Sequence, residues 1–226
     1  MAEGLLGNVM DRPVLDSSNP HIALALVLDV SYSMQGVKMD SLNTAVNNLI
    51  KQVQSDDRIR DTVDLGIFVF GEKGRNPVYS GFQAMSEYGK VRIEATDGST
   101  YVAESLRITV DTIRNRVDLY AQGGGAYKPW IILITDGGFH DGADLNEIAA
   151  RLRQRQEDNK LQFFGLGVEG YNRKQLESLT NNPRQIIEVK AINFNDFLSW
   201  VGRSMATIST NAIDSEVVLE PLVFTV

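Results

Sequence analysis

Apolar residues along the chain fall into two kinds of pattern that alternate from end to end. Some form short continuous runs, which are typical of strands buried on both faces. Those runs cover residues 21–29, 62–71, 129–135, 161–168 and 185–189. Between them, apolar residues recur at spacings of three and four, which predicts helices. The helical stretches cover residues 37–53, 102–117, 143–158, 172–179 and 195–208.

This alternation of strands and helices predicts an α/β fold. We expect a doubly wound, mostly parallel central sheet with helices on both faces, because each parallel crossover needs a helix to return the chain. A shorter run at residues 76–82, bounded by Pro and Gly, predicts one short strand at the sheet edge.

The two ends of the chain lack this regular pattern. Residues 1–20 are rich in Gly, Pro, Ser and Asn and are interpreted as an N-terminal arm, followed by one domain at 21–209. Residues 210–226 form a C-terminal tail that is apolar near its end but has no helical period. The tail could add a strand, cover a sheet edge or remain mobile, and the pattern leaves these outcomes open.

Composition narrows the classes of function. The 226 residues include 43% hydrophobic ones, enough for the core of one α/β domain. The net charge of −7 and the lack of a basic cluster argue against a nucleic-acid partner. Without cysteine there are no disulfides, thiolate metal sites or Cys nucleophile. We expect a cytoplasmic protein with no membrane partner, because neither a signal peptide nor a long apolar span is evident.

Candidate chemistry gathers where two of the predicted strands end. Asp29, Ser31 and Ser33 follow the first strand at alternate positions, so in an extended segment their oxygens share one face. Asp136 directly follows the strand at 129–135, and Thr100 lies beside a glycine before a helix. Ligands of doubly wound sheets bind beyond the carboxyl ends of the strands, where strand order reverses. These side chains are therefore expected to face one crevice.

Three hydroxyls and two carboxylates suit a small, hard divalent cation, so Mg²⁺ or Mn²⁺ is the expected ion. Zinc would be expected to recruit His or Cys, and these motifs contain neither. Two carboxylates satisfy a cation less fully than a cage of four, so at least one coordination position should stay open. An Asp or Glu from another protein would fill it, favoured by the positive end of the helix that begins near Val37.

The motifs resemble those of von Willebrand factor type A domains over about residues 21–209. "DVSYS" fits the D-x-S-x-S motif, "GST" the threonine loop and "TDG" the aspartate loop. The resemblance implies a metal-ion-dependent adhesion site. It also implies a protein-binding module without catalytic turnover. The residues matched to that site are Asp29, Ser31, Ser33, Thr100 and Asp136.

Two further stretches, residues 127–144 and 194–209, are similar to bacterial, intracellular TerY-like proteins of tellurium resistance and stress response. That branch implies partner proteins, often kinase-like or phosphatase-like. The chain departs from the family pattern at Tyr32, where the family often has Gly, and in the length of its arm.

Simpler explanations stand beside these. The "DVSYS" side chains could cap backbone N–H groups, Thr100 could be the N-cap of its helix, and Asp136 could be a turn residue. Asp141 is a candidate support for the site.

A different function is a Mg²⁺-dependent phosphatase or phosphoacceptor with Asp29 as nucleophile. Haloacid-dehalogenase-like enzymes need a carboxylate two residues later, where Ser31 stands. A third is a scaffold that never uses its metal.

Overall fold

The structure, a computed structural model, describes residues 11–71, 80–190, 193–213 and 215–222. Strands and helices alternate through these residues, with short 3₁₀ turns at Tyr32–Met34, Met85–Glu87 and Pro183–Gln185. The strands are β1 (Ile22–Asp29), β2 (Val63–Phe70), β3 (Gln83–Ala84), β4 (Trp130–Thr135), β5 (Gln162–Val168) and β6 (Ile186–Val189). The helices are α1 (Val37–Gln54), α2 (Ala103–Tyr120), α3 (Ala143–Glu157), α4 (Arg173–Glu177) and α5 (Phe194–Ser209).

The strands form one sheet in the order β3-β2-β1-β4-β5-β6. All neighbouring strands are parallel except β3, which runs antiparallel to β2. Helices cover both faces, so the predicted doubly wound α/β fold is confirmed. The order reverses between β1 and β4, and the pairing of Leu28 with Ile134 brings the carboxyl ends of these strands together. The crevice predicted from the sequence therefore lies beside Asp29 and Thr135.

The edge strand differs from its prediction. The described edge strand β3 is Gln83–Ala84, whereas the prediction was residues 76–82. Residues 76–79 lie outside the described part of the chain, and residues 80–82 are not in a strand. Gly81 has a φ of +77°, a left-handed conformation that interrupts an extended run.

Two apolar clusters, one on each face of the sheet, hold the helices in place. Leu24 and Leu26 of β1 belong to the cluster that includes α1 and α5. Ala23 and Ala25, which alternate with them, belong to the cluster that includes α2 and α3. Because side chains alternate between the faces of a strand, β1 needs apolar residues at every position. This explains its continuous apolar run.

A buried ion pair lies at the amino end of the sheet, opposite the crevice. Asp64 Oδ2 accepts hydrogen bonds from Arg116 Nε at 2.9 Å and from the Tyr120 hydroxyl at 2.6 Å. His21 stacks on the Tyr120 ring, with ring centroids 5.0 Å apart. Arg116 also donates to the carbonyl oxygen of Arg12. The pair therefore joins β2, α2 and the described part of the arm.

The described ends of the chain contact the domain. Asp11 accepts a hydrogen bond from the backbone N–H of Phe82 at 2.7 Å. The indole N–H of Trp200 donates to the carbonyl oxygen of Glu220 at 2.8 Å. Residues 215–222 form no strand and lie against α5. The boundaries at residues 20 and 209 stay predictions. Within the described ranges, no helix has the length and apolar character needed to cross a bilayer.

Candidate metal centre

Asp29, the last residue of β1, is buried and held by two neighbours. Its Oδ2 accepts a hydrogen bond from Thr135 Oγ1 at 2.6 Å, and its Oδ1 accepts one from the backbone N–H of Ser31 at 2.9 Å. Burial raises the pKa of Asp29 above its usual range, and the nearby charge of Asp136 adds to this effect, while the hydrogen bonds oppose it. The site thus contains a fixed carboxylate whose negative charge is costly to maintain.

Ser31 and Ser33 reach the site by different routes. Ser31 lies two residues after the end of β1, whereas Ser33 lies in the 3₁₀ turn Tyr32–Met34. The extended conformation therefore ends at Ser31, and the chain curls through this turn before α1 begins. The turn nevertheless places the Oγ atoms of the two serines 3.2 Å apart, and Ser33 Oγ donates to Asp136 Oδ1 at 2.7 Å.

The loop that carries Thr100 lies against the loop that carries Asp136. A β-carbon built on Gly137 would lie 2.9 Å from Thr100 Oγ1, closer than such atoms normally approach. Gly137 therefore permits the two loops to meet. The carbonyl oxygen of Thr100 also accepts a hydrogen bond from the backbone N–H of His140 at 2.9 Å. Three separate loops thus place the predicted set around one crevice: Asp29, Ser31, Ser33, Thr100 and Asp136.

Asp141, rather than Thr100, caps the amino end of α2. Its two carboxylate oxygens accept hydrogen bonds from the backbone N–H groups of Val102 and Ala103, each at 2.9 Å. Thr100 precedes the N-cap position by two residues, so the interpretation of Thr100 as the cap is wrong. The Asp136 loop therefore fixes the start of α2 and, with it, the position of the Thr100 loop.

Asp141→Ala is expected to lower the melting temperature by roughly 2–4 °C, because losing a helix cap costs about 1 kcal/mol. A thermal melt by circular dichroism would measure the shift. Asp144→Ala is the matched control, since Asp144 is an exposed acid in the first turn of α3. Equal shifts in the two variants would contradict the capping role.

Lys38 and Thr135 are absent from the set predicted from the sequence. Lys38 Nζ lies 2.5 Å from Asp136 Oδ2. Lys38 is the second residue of α1, and a lysine near a helix start follows no pattern that would single it out. In the sequence, Thr135 is only the last residue of a predicted buried strand, and nothing there indicates its contact with Asp29. A cation therefore already contacts one of the predicted metal-binding carboxylates.

The residues present fit a hard divalent cation. Their donors are carboxylate and hydroxyl oxygens, which suit Mg²⁺ or Mn²⁺. No group of three or more His, Cys, Asp or Glu side chains able to hold a metal occurs in the described ranges, so neither a carboxylate cage nor a His-rich zinc site forms there. A cation would also offset the repulsion between Asp29 and Asp136. The ammonium of Lys38 shows that the position accepts positive charge.

Comparison with known families finds a match that covers most of the chain. The model of the family described as von Willebrand factor type A domain matches residues 23–201. The human collagen alpha-5(VI) chain is 28% identical over 194 residues, which cover 81% of this chain and 7% of that protein. The mouse collagen alpha-5(VI) chain is 27% identical over 175 residues, covering 74% and 6%. The chain thus spans only a small part of these relatives.

Solved structures share the fold at low sequence identity. The pilus adhesin SpaC from Lactobacillus rhamnosus GG, in its open conformation, aligns with a TM-score of 0.64 and 13% identity, covering 83% of this chain and 30% of that one. Proximal thread matrix protein 1 from the mussel byssus aligns with a TM-score of 0.56 and 15% identity, covering 83% and 48%. In that structure the MIDAS motif is occupied by zinc.

Proposed function

The chain belongs to the von Willebrand factor type A domain family, whose members generally mediate metal-dependent protein interactions, and from that premise we propose that it is a metal-dependent protein-binding module. Five side chains would hold the ion, and the ion when bound supplies a positive centre for an anionic ligand. The observation that carries the proposal is the 2.7 Å contact between Ser33 and Asp136, which joins the first loop to the third. The five are Asp29, Ser31, Ser33, Thr100 and Asp136.

The rim of the crevice supports a protein ligand. Tyr32 directly precedes Ser33, and Val37 is the first residue of α1; these residues are 66% and 77% exposed. Large apolar side chains at such exposure are favourable contact sites for a protein partner, because docking removes their surface from water. We propose that the partner contributes an Asp or Glu to the ion and covers these two side chains.

Mg²⁺ or Mn²⁺ is the proposed ion, because all five donors are oxygen atoms. The zinc in the mussel protein is a property of that structure. Hydroxyl ligands stay neutral, so only Asp29 and Asp136 contribute negative charge. These two charges balance the charge of a divalent ion without exceeding it, so the site has no excess negative charge to repel the acidic side chain of a partner.

We also propose that the protein is not an enzyme. The alternative, a Mg²⁺-dependent phosphatase or phosphoacceptor, would use Asp29 as nucleophile. The side chain of Asp29 is buried, and a phosphoryl group is larger than a metal ion, so the approach of a substrate to this carboxylate is disfavoured. Ser31 stands where haloacid-dehalogenase-like enzymes need a second carboxylate. Phosphate release from an aryl phosphate with Mg²⁺, lost in Asp29→Asn, would reverse this ranking.

The partner and the cellular setting form a separate part of the proposal. We propose a cytoplasmic role in a bacterial stress-response or tellurium-resistance-like complex, with a kinase-like or phosphatase-like partner. Its support is the resemblance of residues 127–144 and 194–209 to TerY-like proteins. The net charge of −7 supports a protein partner over nucleic acid.

Ser31→Ala combined with Ser33→Ala is expected to abolish partner binding without unfolding the protein, because both hydroxyls would contact the ion. The measurement is affinity purification from the native host with Mg²⁺ and with EDTA, beside a circular-dichroism melt. The partner should be recovered only by the wild type with Mg²⁺. Ser55→Ala with Ser215→Ala is the control, since both serines are exposed and lie outside the three loops. Equal recovery in EDTA would instead support the scaffold hypothesis.

A further inference from the structure

We propose that Lys38 is a tethered cation that competes with the divalent ion for Asp136 and so sets the metal affinity of the site. The inference rests on the proposed function for the existence of that metal site. It adds a regulating residue that lies outside the predicted ligand set.

The contacts of Asp136 are the first observation. Its side chain is 0% exposed, and both its oxygens are occupied: Oδ1 accepts from Ser33 Oγ at 2.7 Å and Oδ2 lies 2.5 Å from Lys38 Nζ. A lysine ammonium only donates hydrogen bonds and carries a full positive charge. A metal that takes Oδ2 must therefore displace this ammonium. Lys38 is 30% exposed, so its flexible side chain has solvent to move into.

The position of Lys38 in α1 is the second observation. The first turn of a helix favours negative side chains, because the backbone dipole is positive there. Lys38 is the second residue of α1 and so stands against this preference. Its partner Asp136 is distant in sequence and belongs to the loop after β4. The ion pair with Asp136 offsets the unfavourable interaction of Lys38 with the helix dipole. The presence of a lysine here is therefore explained by the site and not by helix stability.

The charge balance of the crevice gives Lys38 two opposing effects. Asp29 and Asp136 repel each other, and a nearby ammonium reduces the cost of keeping both charged. Lys38 should therefore stabilise the metal-free fold. The same ammonium must be displaced before metal contacts Oδ2, so it should weaken metal binding. A purely structural lysine would stabilise the fold without opposing the metal.

Lys38→Met removes the charge and keeps an unbranched apolar side chain. It should tighten Mn²⁺ binding by roughly tenfold, equivalent to about 1.4 kcal/mol, because the ion no longer has to displace an ammonium from Asp136. It should also lower the melting temperature in EDTA. Lys38→Arg keeps the charge and should keep the wild-type metal affinity. Lys51→Met, an exposed lysine in the last turn of α1, is the matched control and should change neither quantity appreciably.

Isothermal titration calorimetry with MnCl₂ measures the Mn²⁺ affinity of each variant. Thermal melts in EDTA measure the melting temperature of the metal-free protein. Equal Mn²⁺ affinity in the wild type and Lys38→Met would overturn the role of Lys38 and leave the proposed function standing. Binding by Lys38→Met but not by the wild type would support the role in its strongest form. Absence of binding in every variant would overturn the role and the proposed function together.

Discussion

Asp29→Asn is expected to abolish metal binding and, at the same time, to raise the melting temperature of the metal-free protein. Loss of an outer-shell partner alone typically weakens a metal site by about 10–100-fold, so loss of this proposed carboxylate ligand should exceed that range. The gain in stability arises because burial disfavours the charged form of Asp29. An asparagine keeps an acceptor for the N–H of Ser31 and offers an amide to Thr135, without the charge.

The sign of the pH dependence follows from the raised pKa of Asp29. Above that pKa, the folded protein holds a buried charge that the unfolded chain holds in water, so the full penalty is present at neutral pH. As the pH falls through the raised pKa toward the usual value of 3.8, the side chain takes up a proton and the penalty disappears. The advantage of Asp29→Asn in EDTA should therefore be largest at neutral pH, roughly 2–4 °C for each kcal/mol, and should vanish in acid.

The matched control for this prediction is Asp97→Asn. Asp97 is an exposed acid that accepts a hydrogen bond from Gln35 in the loop after β1. Its replacement should change neither metal affinity nor the melting temperature by much. Metal binding retained in Asp29→Asn, or a lower melting temperature for that variant in EDTA, would contradict the role given to Asp29.

Arg116→Met is expected to destabilise the protein by about 3–5 kcal/mol, because it leaves the buried charge of Asp64 without its main partner. Both side chains are 0% exposed. The change also removes the donor that holds the carbonyl oxygen of Arg12 and thus loosens the described part of the arm. Urea unfolding followed by circular dichroism would measure the loss.

A double-mutant cycle separates the ion pair from simple packing. Asp64→Asn combined with Arg116→Met leaves no unpaired charge, so the double variant should be more stable than Arg116→Met alone. Arg114→Met is the control, since Arg114 is an exposed arginine on the same helix. A double variant less stable than either single variant would refute the account of this pair.

Most of the fold follows from local patterns in the sequence. The continuous apolar runs at β1 and β4 identify strands buried on both faces, and the structure places them side by side at the reversal of strand order. The edge strand is less predictable, because its two residues are too few to set up an alternating pattern and Gly81 breaks the run before it.

The residues of the candidate site likewise include some that the sequence identifies and some that it does not. Asp29 and Asp136 are identifiable because each polar residue ends an apolar stretch. Lys38 is not, since its partner is reached only through the tertiary fold. Arg116 could have been identified from the sequence by its spacing. It lies three residues after Ile113 and four before Tyr120, which places it on the apolar face of α2. A charge on that face requires a buried partner.

A crystal structure of the protein with Mn²⁺, located by its anomalous scattering, would show whether the three loops hold an ion. We expect one Mn²⁺ per chain, in contact with Asp136 and Ser33, with the ammonium of Lys38 withdrawn from Asp136. Crystals saturated with Mn²⁺ that show no ion among the three loops, with Lys38 still bound to Asp136, would contradict it.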